Sequence, residues 1–107
     1  MPYFLVQASY GDSAVGAMVK NPQDRAAAIR PVIEKLGGKL HGMWLTFGDY
    51  DLLAIVEMPD AMTAASFSMA VGASGAMSSY RTTPLLTMDE AVAAMKKAGT
   101  VGYQAPK

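Results

Sequence analysis

Residues 39–58 read Lys39-Leu40-His41-Gly42-Met43-Trp44-Leu45-Thr46-Phe47-Gly48-Asp49-Tyr50-Asp51-Leu52-Leu53-Ala54-Ile55-Val56-Glu57-Met58. Two apolar runs, Lys39–Phe47 and Tyr50–Met58, flank the turn pair Gly48-Asp49. The second run is almost continuously apolar from Leu52 to Val56, the pattern of a strand central in a sheet. So short a separation predicts an antiparallel hairpin.

Working outward, Tyr3–Tyr10 is a strand by composition, with Phe4, Val6, Ala8 and Tyr10 on its more apolar parity. Gly11-Asp12-Ser13 punctuates it, and Asp12 or Ser13 can cap a short helix over Ala14–Lys20. Asn21-Pro22-Gln23-Asp24 reads as a second helix start, with Asn21 at the cap and Pro22 in the first helical position. Ala26, Ile29, Ile33 and Leu36 then recur at helical spacing, and Gly37-Gly38 ends the helix. Pro31 inside that stretch predicts a kink or break. Downstream, Pro59 stops the hairpin and Asp60 caps a small-sided helix over Ala61–Ser74. A fourth strand follows over Ser78–Leu86, with Pro84 arguing for an edge or a strand end. Thr87-Met88-Asp89-Glu90 fits a capping box opening a last helix to Ala98. One domain is expected over residues 1–98, followed by an aperiodic tail, 99–107.

The order β-α-β-β-α-β plus a C-terminal helix predicts an α+β, ferredoxin-like fold with a four-stranded antiparallel sheet and both main helices on one face. The other face is left bare, yet apolar residues occupy both parities of the hairpin strands. Pairing of two such faces would cover them, so a homodimer or higher oligomer is expected.

With 107 residues, 51% hydrophobic and 17% charged, the chain suits a single core. Nine Lys and Arg balance nine Asp and Glu, leaving no cationic footprint for nucleic acid. No apolar run reaches the ~18–20 residues of a membrane helix, and no secretion signal is recognisable. The lack of cysteine removes disulfides and thiol chemistry and fits a cytoplasmic location.

Three stretches carry a resemblance: Tyr3–Tyr10, Leu36-Gly37-Gly38-Lys39-Leu40, and Thr46 to Asp60 through Gly48-Asp49-Tyr50-Asp51. Over residues 2–95 the chain resembles the GYD domain family of small bacterial and archaeal proteins. The resemblance implies membership of the dimeric α/β-barrel superfamily, in which two ferredoxin-like sheets close on each other. It implies fold far more than function, because the family's biochemical role is not established. Pro31 departs from the unbroken helix the family implies, and His41 lies outside the motif. The Gly48–Asp51 turn is also similar to the corresponding turn in the amino-acid-binding effector domains of Lrp/AsnC regulators, which bind small molecules between subunits. Without a DNA-binding half, that likeness implies a stand-alone ligand or assembly module.

Gly48 and Asp49 suit a hairpin turn with positive φ, or direct ligand contact. Tyr50 and Asp51 should point to opposite faces. On the bare face Asp51 would lie near Gln7, Arg81 or His41, and pairing would lower its pKa. His41 is the chain's one histidine, and a lone histidine makes a poor metal site. Trp44, Tyr10, Tyr50 and Tyr80 suit either a pocket wall or the core and interface. Alternation puts Trp44 on the face opposite His41 and Met43, with His41 about 20 Å from the turn. The candidate ligand residues are therefore Asp51, Tyr50, Gly48, Asp49, Trp44 and His41, with no metal site and no cofactor indicated. The glycines form neither a phosphate loop nor a nucleophile elbow. Two functions follow: a homo-oligomeric module holding a small metabolite at a subunit interface, or a cofactor-independent, monooxygenase- or isomerase-like enzyme acting in the barrel lumen.

Overall fold

The computed structural model describes residues 1–107. Its elements are β1 (Tyr3–Tyr10), α1 (Asp12–Lys20), α2 (Arg25–Lys35), β2 (Lys39–Leu45), β3 (Leu52–Glu57), α3 (Ala61–Ala73), β4 (Met77–Leu85) and α4 (Met88–Ala98). The strands form one antiparallel sheet in the order β2-β3-β1-β4. This is the expected ferredoxin-like arrangement, with the consecutive β2 and β3 adjacent and Pro84 on an edge strand.

Strand alternation explains the core. Phe4 and Val6 of β1 and Ala54 and Val56 of β3 project to one face, where they meet Ile33 of α2 and Ala64 and Phe67 of α3. Leu40 and Met58 complete the cluster. The opposite, outer face carries Leu5, Leu53 and Ile55, all half-buried with no helix over them.

The helix ends follow local chemistry, not always as the sequence suggests. Asp24, not Asn21, caps α2, its carboxylate accepting from the amides of Ala26 and Ala27 at 2.9 and 3.3 Å. Asn21 instead ends α1, its amide donating to Ala17. Pro22 therefore lies between the helices. Gly11 opens α1 without a side-chain cap, so neither Asp12 nor Ser13 fills that role. Helix α2 runs unbroken through Pro31. Both Pro31 and Ala27, whose carbonyl the proline leaves free, are exposed, so water can satisfy that carbonyl. The capping box of α4 is present, Thr87 and Glu90 each bonding the other's amide.

Two glycines at the entry to β2 meet different demands. Gly37 holds a φ of 83°, the left-handed end of α2. At Gly38 a Cβ would stand 2.5 Å from the Glu57 carbonyl oxygen.

The hairpin is looser than expected. β2 ends at Leu45 and β3 begins at Leu52, and the loop is closed by Thr46 N–H donating to the Asp51 carbonyl at 2.8 Å. Neither Gly48 nor Asp49 has a positive φ. Six residues share the chain reversal, so none has to enter the left-handed region that a two-residue turn imposes.

A bulge also corrects the reading of β2. Leu40 pairs with Val56 and Gly42 with Ile55, so His41 is an inserted residue. Met43 and Leu45 then pair with Ala54 and Leu52 on the helix side, while Trp44 pairs with Leu53 on the outer side. His41 and Trp44 therefore share one face, contrary to simple alternation. Trp44 folds its ring over Gly42, where any Cβ would collide with it. The Leu40 carbonyl beside the bulge accepts from Arg30 Nη1 at 3.0 Å.

The chain exposes far more surface than its mass requires. Its accessible area is 7474 Å², against about 5,700 Å² for a folded monomer of this size. Its radius of gyration is 17.1 Å, against about 13 Å. Helix α4 buries no residue, and its apolar side, Met88, Val92 and Met95, faces solvent. No helix is long and apolar enough to cross a membrane.

Candidate functional site

The loop after β2 is tied to the end of β1. Asp51 N–H donates to the Ala8 carbonyl at 3.0 Å, and Asp51 Oδ2 accepts from Tyr10 N–H at 3.0 Å. The second bond falls where β1 shifts register against β4, between Ser9 and Tyr10. A side-chain acceptor thus serves the amide at an irregular strand end.

This junction floors a cleft of about 530 Å³. One wall is α1, with Val15, Met18 and Val19; another is the end of β2 and the loop after it, through Trp44, Leu45 and Phe47. The start of α2 closes the third side and brings in Arg25. Val15 and Val19 are exposed, and Phe47 is 97% exposed, so apolar surface faces the cleft and its rim without cover. The polar groups Tyr10, Arg25 and Asp51 all line it. Arg25 Nη1 donates to Gln23 Oε1 at 2.8 Å. The Tyr10 phenol has a raised pKa: burial is the main cause, the Asp51 charge acts in the same direction, and Arg25 opposes both.

A small inner chamber of about 40 Å³ continues between the sheet and the helices, sharing Tyr10, Arg25, Met43 and Leu52 with the cleft. Tyr80 lines it, and its shielded hydroxyl has no hydrogen-bond partner. The neighbouring Ser68 and Thr82 hydroxyls bond each other at 2.8 Å. Burial raises the Tyr80 pKa, against the lowering influence of those two hydroxyls.

The six candidate residues fall in three places. Asp51 and Trp44 line the cleft. Gly48, Asp49 and Tyr50 line a shallow groove of about 450 Å³ with Gln7 and Arg81. The carboxylate expected near Gln7, Arg81 or His41 is therefore turned the other way: Tyr50 takes that position, and Asp51 serves Tyr10 N–H. His41 belongs to neither. Its Nε2 lies 2.9 Å from Glu57 Oε1, and its ring centroid 5.2 Å from that of Tyr3. No group of three or more His, Asp or Glu side chains is placed to hold a metal ion. Arg25, Val15, Met18 and Val19 were not among the candidates. Their signal was legible in part: Val15, Met18 and Val19 stand at helical spacing on one side of α1.

A split β-α-β sheet with an apolar cleft beside its central loop defines a small ferredoxin-like α+β protein. The chain belongs to the GYD domain family, whose model matches residues 4–95 and so includes all but the first residue of β1, the loop and all but the last turn of α4. No curated protein and no solved structure gives a significant match.

Proposed function

We propose that this chain is a self-associating, small-molecule-binding module whose ligand sits in the cleft between α1, α2 and the β2–β3 loop. The cleft carries the reading. Its size lies in the range of small-molecule sites, and its apolar walls end at a few polar groups, the usual composition of such sites. The orphan hydroxyl of Tyr80 supports it. A buried donor without a partner is costly, and an acceptor reaching the inner chamber would relieve that cost.

Surface area supports the self-association. The excess over a compact monomer is roughly 1,700 Å², about twice what each partner contributes to a standard interface. Sheet-to-sheet closure into a dimeric α/β barrel would cover Leu5, Leu53 and Ile55, and the apolar side of α4 offers a further contact. Light scattering at micromolar concentration tests this half, with a dimer or larger species expected. A well-behaved 11.3 kDa particle would exclude it. A thermal-shift screen tests the other half. Val19→Glu should abolish a binder's shift, and Tyr50→Phe should leave it unchanged. The reverse pattern would move the site to the outer groove.

One observation favours an enzyme as a second reading. The His41–Glu57 pair is an imidazole–carboxylate arrangement on the face that closure would turn into a lumen. A cofactor-independent reaction there would lose its turnover in His41→Gln while binding in the cleft persisted.

A further inference from the structure

We infer that the ligand of the cleft is an apolar-bodied monocarboxylate, its carboxylate received by Arg25 with help from the Tyr10 hydroxyl. This rests on the cleft being the binding site.

Arg25 is the only cation lining the cleft. It has no carboxylate partner, since the one contact between a basic and an acidic side chain at ion-pair distance is His41–Glu57. Of its five N–H donors, one of the two on Nη1 is engaged by the neutral side chain of Gln23, and the Tyr10 phenol draws on another. The two carboxylates near it each accept backbone hydrogen bonds through one oxygen. Asp24 accepts from the first amides of α2, and Asp51 accepts from Tyr10 N–H. A guanidinium with free donors in a fixed fork matches the two oxygens of a carboxylate bidentately. Asp24 and Asp51 also limit the ligand's charge: the one positive group of the lining, Arg25, can neutralise a single negative charge, and a second would stand unpaired beside two fixed carboxylates. The body of the ligand follows from the walls. Val15, Val19 and Leu45 are large apolar side chains left exposed along the cleft, so an aliphatic or aromatic body would lie on them with the head toward Tyr10 and Arg25.

The test compares three probes that share one body: octanoate, octanamide and octylamine. Binding to the full chain is measured by calorimetry, with amide shifts of α1 and Tyr10 locating it. Octanoate should bind at least about tenfold tighter than octanamide. Arg25→Gln should bring the two to equal affinity, and Arg25→Lys should retain part of the preference. Circular dichroism checks that each variant keeps its fold, and the probe comparison on the unaltered chain decides the matter if Arg25→Gln does not. Equal affinity of octanoate and octanamide, or a preference for octylamine, overturns the carboxylate while leaving the cleft as the site. Failure of all three to shift α1 overturns the cleft reading itself, and the carboxylate with it.

Discussion

Asp51 reaches across from the β2–β3 loop to accept the Tyr10 amide, 41 positions away in sequence, at 3.0 Å. The bond joins the family's turn motif to the end of β1. It also sets the floor of the cleft, since both residues line it. The aspartate of the motif thus acts as a side-chain clasp on a strand end that its neighbour's backbone no longer serves.

Removing the clasp leaves a part-buried amide without a partner. Asp51→Ala should lower stability by about 1–3 kcal/mol, and Asp51→Asn, which keeps an acceptor, by less. Urea unfolding of the two variants checks the order. Equal losses would mean that charge, not the hydrogen bond, matters there.

Tyr80→Phe should behave in the opposite sense. It removes a shielded hydroxyl that has no well-formed hydrogen bond, although Ser68 and Thr82 lie beside it, and keeps the ring. Stability should rise by about 1 kcal/mol or stay level. Thermal unfolding measures it, and a marked loss would mean that the hydroxyl has a partner in solution.

The glycines divide sharply. Gly38→Ala should destabilise by about 2 kcal/mol or more, because its Cβ would meet the Glu57 carbonyl and Met58 sulfur. Gly48→Ala should change stability by less than about 0.5 kcal/mol, since the site is open and its φ is ordinary. Denaturant midpoints of the pair test the account of the open loop.

Asp60 and Glu90 both have pKa values held below the usual carboxylate range by the amides they accept from, Thr63 and Thr87. Their contribution is present above the ordinary carboxylate pKa and is lost as pH falls through the depressed values. Helix content followed by circular dichroism should therefore fall on the acid side. Asp60→Asn with Glu90→Gln should flatten that fall.

Strand parity and helix spacing made the element order legible, and Asp60 and Thr87 marked two helix starts correctly. Asn21 and Asp24 are both good caps three residues apart, and only packing of Ile29 and Ile33 on the sheet selects Asp24. The positions of Asp51 and Tyr50 could not be read from alternation, because the loop takes both out of the strand. The cleft was hidden for a different reason. Its walls come from α1, α2, β1 and β2, and Arg25 gains meaning only beside Tyr10, fifteen positions earlier.

The inserted histidine gives β2 an uneven tolerance for changes in length. His41 and Gly42 together face Ile55, so deleting His41 would restore a regular ladder and leave every later side chain on its present face. Deleting Met43 or Trp44 would move the positions of β2 beyond it across the sheet. Among relatives whose β2 is one residue shorter, the gap is expected to fall at the bulge, and a search for a counterpart of His41 would then find no residue to compare.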